Sequence, residues 1–222
     1  MKLRGSSVLT VMFTVALAQA AILPPTGSAP VAPDVLLTSA AGPFLANISG
    51  TFTGTNSLGQ TTISGKYDEA VYADPSNTFC AGCLDFFLFV ESNSSSTDSI
   101  ARITLASFGS FLTDVGYTTG KGGNPGGVTP STVDRSGNGS VVGFNFSTLT
   151  GVGPGGQTQE LEIETNAKSF TTGSIQMIDS SVASVQGFAP SSVPEPGSIS
   201  LALLGGALLG IVGRRRRTAQ GA

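Results

Sequence analysis

Between residues 45 and 189 of this 222-residue chain, short runs of alternating apolar and polar residues are separated by clusters of Gly, Asn, Ser and Pro. Strands joined by turns have this signature. The runs predict strands at 46–53, 61–72, 84–91, 99–107, 111–117, 141–148, 160–165 and 174–178, with a last one at 182–188. Leu161 and Ile163 alternate with Glu160, Glu162 and Glu164, which puts the apolar pair in the core and the glutamates in water. Val142, Phe144 and Phe146 alternate with Gly143 and Asn145 in the same way. The run LDFFLFV at 84–90 is apolar on both faces apart from Asp85, as a central, fully buried strand requires. Asn138-Gly139 is a hairpin signal. No window between the two chain ends carries a helical stripe. The prediction is an all-β domain, a single antiparallel β-sandwich with a β-barrel as the alternative, large enough for one core. Ahead of it, 21–44 is rich in Pro and Ala and reads as a stiff extended lead-in.

The two ends have a different pattern. Residues 1–20 read as a signal peptide: Lys2 and Arg4, then the apolar run VLTVMFTVAL, then Ala18-Gln19-Ala20. That order predicts export and cleavage by signal peptidase after Ala20. At the other end, 190–222, Pro194, Glu195 and Pro196 precede an uncharged stretch at 198–213, SISLALLGGALLGIVG. Arg214, Arg215, Arg216 and Arg217 close it. Sixteen helical residues reach roughly 24 Å, slightly short of a hydrocarbon core of about 30 Å. Snorkelling arginines and local thinning cover the difference. The stretch therefore reads as one short transmembrane helix in the inner membrane, with the arginines cytoplasmic and the body outside. Gly206 and Gly210 within it form a G-x-x-x-G pair, read as the ordinary abundance of small residues in membrane helices.

The motif Pro194-Glu195-Pro196, the apolar span and Arg214–Arg217, in this order at the C-terminus, resemble the PEP-CTERM sorting signal of Gram-negative bacteria. The resemblance implies that exosortase, an integral-membrane transpeptidase-like enzyme, reads the tail and cuts near the Pro-Glu-Pro motif. The mature protein would then be released or re-attached, at the cell surface or outside the cell. It also implies an association with exopolysaccharide and biofilm. A fainter likeness, carried by TFCAGCLDFFLFV, SFGSFLTDVGY and LEIETNAKSFTTGSI, links the body to a recurring extracellular domain of PEP-CTERM proteins that has no assigned activity.

Composition narrows the chemistry. The chain has no His, which excludes a Ser-His-Asp triad, an imidazole base and His-ligated metals. Two Cys alone cannot complete a structural zinc site. Setting the two ends aside leaves thirteen acids against five bases in residues 21–193, a net charge of −8. Such a body repels nucleic acid, so none is expected as a partner. Cys80 and Cys83 form a C-x-x-C just before the buried run, read as a small disulfide in an exported chain. Free or redox-active thiols and a shared metal are the alternatives, and the helix that would lower a redox thiol's pKa is missing from the pattern. Gly116 to Lys121 is one residue short of a phosphate loop, and Asp134 to Gly139 lacks the ligand spacing of an EF-hand. The four N-x-S matches at Asn47, Asn93, Asn138 and Asn145 read as chance in a chain with 52 Ser and Thr.

Carboxylates are the remaining acid–base groups. Asp85, Asp114 and the row Glu160, Glu162 and Glu164 are the candidates for a hydrolytic pair, which needs two carboxyls facing one cleft. Asp85 is expected to take a hydrogen bond from a nearby turn or to pair with Arg102. No catalytic residue, metal or cofactor is assigned. The expected function is a non-catalytic envelope or matrix protein. A glycan- or metal-binding module is the alternative, and a carboxylate hydrolase is third.

Overall fold

The computed structural model describes residues 21–35, 42–118, 126–147 and 151–192. The signal peptide, Pro194, Glu195, Pro196, the span at 198–213 and Arg214–Arg217 lie outside the described residues. Among the described residues, no helix is long and apolar enough to cross a membrane.

Among the described residues there are thirteen strands. They begin with β1 (Ile22–Leu23), β2 (Ser28–Val31), β3 (Asp34–Val35), β4 (Phe44–Thr55) and β5 (Thr61–Asp74). Next come β6 (Cys83–Ser92), β7 (Arg102–Ala106), β8 (Thr113–Thr118), β9 (Thr132–Arg135) and β10 (Val141–Asn145). Last are β11 (Glu160–Thr165), β12 (Ser169–Ile178) and β13 (Val182–Ser191). Every run read as a strand from the sequence is one. The four that escaped the pattern, β1, β2, β3 and β9, have two to four residues each, too few for an alternation to register.

All thirteen join one sheet, in the order β1-β8-β11-β6-β5-β4-β13-β12-β7-β10-β9-β2, with β3 lying parallel on β8. The other pairings are antiparallel. The fold is all-β, a single antiparallel sheet wrapped around one core and nearly closed as a barrel. β6, the LDFFLFV run, lies well inside the sheet between β5 and β11, and its residues 83–88 are all buried. Phe86, Leu88, Leu161, Ile163 and Val115 point inward with Phe108, which meets Phe86 edge to face at 5.5 Å. Such pairs add to what burial alone contributes.

The near-closure comes from the segment before β4. This Pro- and Ala-rich stretch, read as a lead-in, is paired into the sheet. β1 pairs with β8 at one end of the strand order and β2 with β9 at the other, so this short piece of chain touches both edges. A turn closed by Gly27 N–H to Pro24 O separates the two strands. Arg135 of β9 is buried beneath the join. It donates to the carbonyls of Leu23, Phe108 and Gly139 and to Thr113 Oγ1. The expected Asn138-Gly139 hairpin connects β9 to β10, with Gly139 at φ 72°. A Cβ on Gly139 would stand 1.7 Å from the Pro25 carbonyl oxygen. Gly139→Ala is therefore expected to cost about 2 kcal/mol through left-handed strain and displacement of the Pro24–Gly27 turn, read from the urea midpoint.

Candidate functional site

The register of β6 against β11 sets Asp85 directly opposite Glu164 and Phe87 opposite Glu162. On β11's other side Asp114 of β8 is also opposite Glu164. Since alternate residues share a face, Asp85, Glu162, Glu164 and Asp114 all project from the side opposite the core. Carboxylate oxygens of Asp85, Glu162 and Glu164 lie within 4.8 Å of one another. The sequence therefore indicates which way the glutamates face, but the expectation that they face water needs correction. Glu162 is 0% exposed and Glu164 9%. The outer face of β11 is covered: Thr78 N–H, from the loop after β5, donates to Glu164 Oε2 at 2.9 Å. On β8, β3 approaches so closely that a Cβ on Gly116 would meet the Asp34 carbonyl oxygen at 2.2 Å.

Asp85 has the turn partner foreseen for it and not Arg102. Asn77 Nδ2 donates to Asp85 Oδ1 at 2.6 Å. Arg102, on β7, instead forks onto Asp134 and also reaches Asn145, which holds Asp134 below the ordinary carboxylate range. Burial, contact with Asp74 and the negative charge of Glu164 and Glu162 push Asp85 up to about 9, against the pull of the Asn77 amide. Asp114 is raised to about 6, mainly by burial and then by Asp34 and Glu164. Glu160 is raised by burial and by Asp68. Asp85 and Glu162 are each 0% exposed. Chemically, such a group of oxygens can hold protons or a hard cation. Sequence reasoning assigned no metal because only the β6–β11 register unites these residues. The signals present were an acid inside an apolar run and two glutamates at i, i+2.

Cys80 and Cys83 are joined by a disulfide at the end of the loop covering the cluster. Within that loop Asn77 Oδ1 accepts from the Phe79 and Cys80 amides, and Gly82 N–H bonds back to Asp74 O. The paired sulfurs are thus a strap for the loop that supplies Asn77 and Thr78. Replacing Cys80 by Ser and Cys83 by Ala together is expected to lower unfolding free energy by about 2 kcal/mol, the entropy of a very small closed loop. Paired urea titrations of the two forms check this.

A shallow open groove of about 410 Å³ crosses the outer side of β4, β5 and β6 and is lined by Lys66, Asp68, Phe89 and Glu91 among others. It is remote in register from the carboxylate cluster: Lys66 pairs with Glu91, at the far end of β6 from Asp85.

No curated protein and no solved structure matches the chain. A family model does match at the C-terminal end: the PEP-CTERM protein-sorting motif, over residues 192–217. That range contains Pro194, Glu195 and Pro196, the apolar stretch and all four of the arginines that close it. The motif implies an exported protein processed at the membrane by exosortase. Residues 192–217 of this chain are thus a PEP-CTERM protein-sorting motif, which implies processing by exosortase.

Proposed function

We propose that this is a non-catalytic protein of the cell envelope or extracellular matrix. Signal peptidase releases the body after Ala20, and the 198–213 helix then holds it on the outer side of the inner membrane. Arg214, Arg215, Arg216 and Arg217 remain cytoplasmic as the stop, and exosortase cuts near Pro194-Glu195-Pro196. The body reaches the surface, where its setting is exopolysaccharide. The sorting motif at 192–217 is the observation that carries this reading. Supporting it are the lack of histidine and the burial of the cluster's acids, which leave little for general acid–base work. A body of thirteen acids and five bases is also suited to staying dispersed outside the cell.

Converting Pro194, Glu195 and Pro196 together to Ala should leave the chain in the membrane fraction at its unprocessed length, seen by fractionation and immunoblotting. Loss of the protein from membranes at the wild-type rate would refute the proposed role of the motif. Calorimetric titration of exopolysaccharide fragments tests the alternative glycan-binding reading, which saturable binding would favour.

A further inference from the structure

We propose that Asp85, Glu162 and Glu164 form a binding site for a divalent cation, and that the cation is Ca²⁺. Two oxygens on opposite sides of one Ca²⁺ are about 4.6–5.2 Å apart, twice a typical Ca–O distance. The three carboxylates, whose oxygens lie within 4.8 Å of one another, can therefore share one ion without moving far. An independent observation points to a missing partner. Asp85 is 0% exposed and its Oδ1 takes the Asn77 amide, while Oδ2 is buried with no N–H donor among the described residues and with the Asp74 carboxyl beside it. Natural interiors rarely leave such an oxygen unpaired.

Among the described cations, Arg102 is bound to Asp134, Arg135 to carbonyl oxygens at the seam, and Lys66 and Lys168 are exposed. Asp74 adds a fourth carboxyl beside Asp85, with its Oδ1 occupied by Ser76. Three or four hard oxygen donors with no imidazole or free thiolate select Ca²⁺, Mg²⁺ or Mn²⁺ over zinc or copper. Mg²⁺ prefers to keep several waters, for which a site this buried has little room, so Ca²⁺ fits best. The disulfide-strapped loop that supplies Asn77 would then be the lid of the site. The ion would tie β6, β11 and that loop together, a staple that becomes available on export.

The purified full chain, stripped with chelator, is titrated with CaCl₂ by calorimetry and followed by thermal melting. Tyr72, opposite Asp85 across β5 and β6, also permits terbium emission excited through tyrosine in a chain without Trp. One saturable Ca²⁺ site, a raised Tm and weaker binding of Mg²⁺ are expected. Asp85→Asn and Glu164→Gln, both near-isosteric, should each weaken Ca²⁺ at least tenfold. No heat, melting shift or terbium signal at millimolar ion would overturn the site. Equal binding by the wild type and an Asp85→Asn, Glu164→Gln double variant would do so too. Neither outcome affects the sorting reading, which depends on the tail.

A separate observation carries a second inference, which rests on cleavage after Ala20. Ala21 is 5% exposed, and its carbonyl accepts from Val115 N–H at 3.2 Å. Its own N–H is hydrogen-bonded to the carboxyl of Asp114, which is 1% exposed and keeps a buried Oδ1 without a partner. We infer that removal of the signal converts this amide into an ammonium that pairs with Asp114, so that export completes the β1–β8 seam. Asp34 and Glu164 add negative charge at the same place. The mature N-terminus is first read by mass spectrometry; a start other than Ala21 overturns the inference. With Ala21 established, Asp114→Asn should lower Tm in the mature chain by several degrees and change it little in a chain retaining the signal. An equal change in both forms would contradict the pairing.

Discussion

Replacing Arg135 by Met is expected to lower the unfolding free energy of the body by about 3–5 kcal/mol, the cost of orphaning several buried acceptors. The side chain is 2% exposed and is satisfied by the carbonyls of Leu23, Phe108 and Gly139 and by the Thr113 hydroxyl. Two effects compete. Burial depresses the Arg135 pKa, so carrying a charge there has a desolvation cost that Met would relieve. But three of its partners are backbone carbonyls, which no substitution at Arg135 removes. The loss of their hydrogen bonds dominates. Leu23 belongs to β1 and Arg135 to β9, so the damage falls where the sheet's two edges meet. Arg135→Lys, with one nitrogen in place of a fork, should recover only part of the stability. Chemical denaturation of the three forms is the check, and a Met variant as stable as wild type would mean that the clasp is not needed.

The second large effect is set by pH. Glu69 of β5 points into the core at 0% exposure, where Phe188 N–H donates to Oε2 at 2.7 Å and Oε1 has no partner. Burial raises its pKa from 4.5 to about 8, against the pull of the Phe188 amide. Between those values the folded chain retains a proton that the unfolded chain has released. This contribution to stability is complete below about pH 4.5, falls as pH rises toward about 8, and is flat above. Each pH unit in that window changes the folding constant about tenfold, so the wild type should lose about 5 kcal/mol across it relative to Glu69→Gln. Gln keeps the shape and an acceptor for Phe188 N–H without titrating. Urea midpoints of both proteins at pH 5 and pH 8 isolate the effect. Parallel pH profiles would place Glu69 in contact with water.

What could be read from the sequence follows from what repeats. Nine strands were visible because each runs for at least five residues with apolar side chains recurring along it, as Leu161 and Ile163 do. β1, β2, β3 and β9 are held by their edges and by Arg135, and a lone arginine in a short polar run gives no sign of burial. The glutamate row shows the same limit: alternation tells which residues share a face but not what covers that face. The cover of Thr78, Asn77 and β3 comes from chain far away in sequence. Likewise Asp85, 77 residues before Glu162, meets it only through strand order. The sorting motif was legible because it is contiguous and its chemistry is linear: Pro-Glu-Pro, an apolar span and a basic stop.

The central claim is that the tail is a processing signal. Its most direct test is the intact mass of the protein recovered from cells with active exosortase and from cells without it. A chain beginning at Ala21 is expected in both, shortened near Pro194-Glu195-Pro196 and lacking Arg214–Arg217 only where exosortase is active. A mass that includes Arg214–Arg217 in both strains would contradict it.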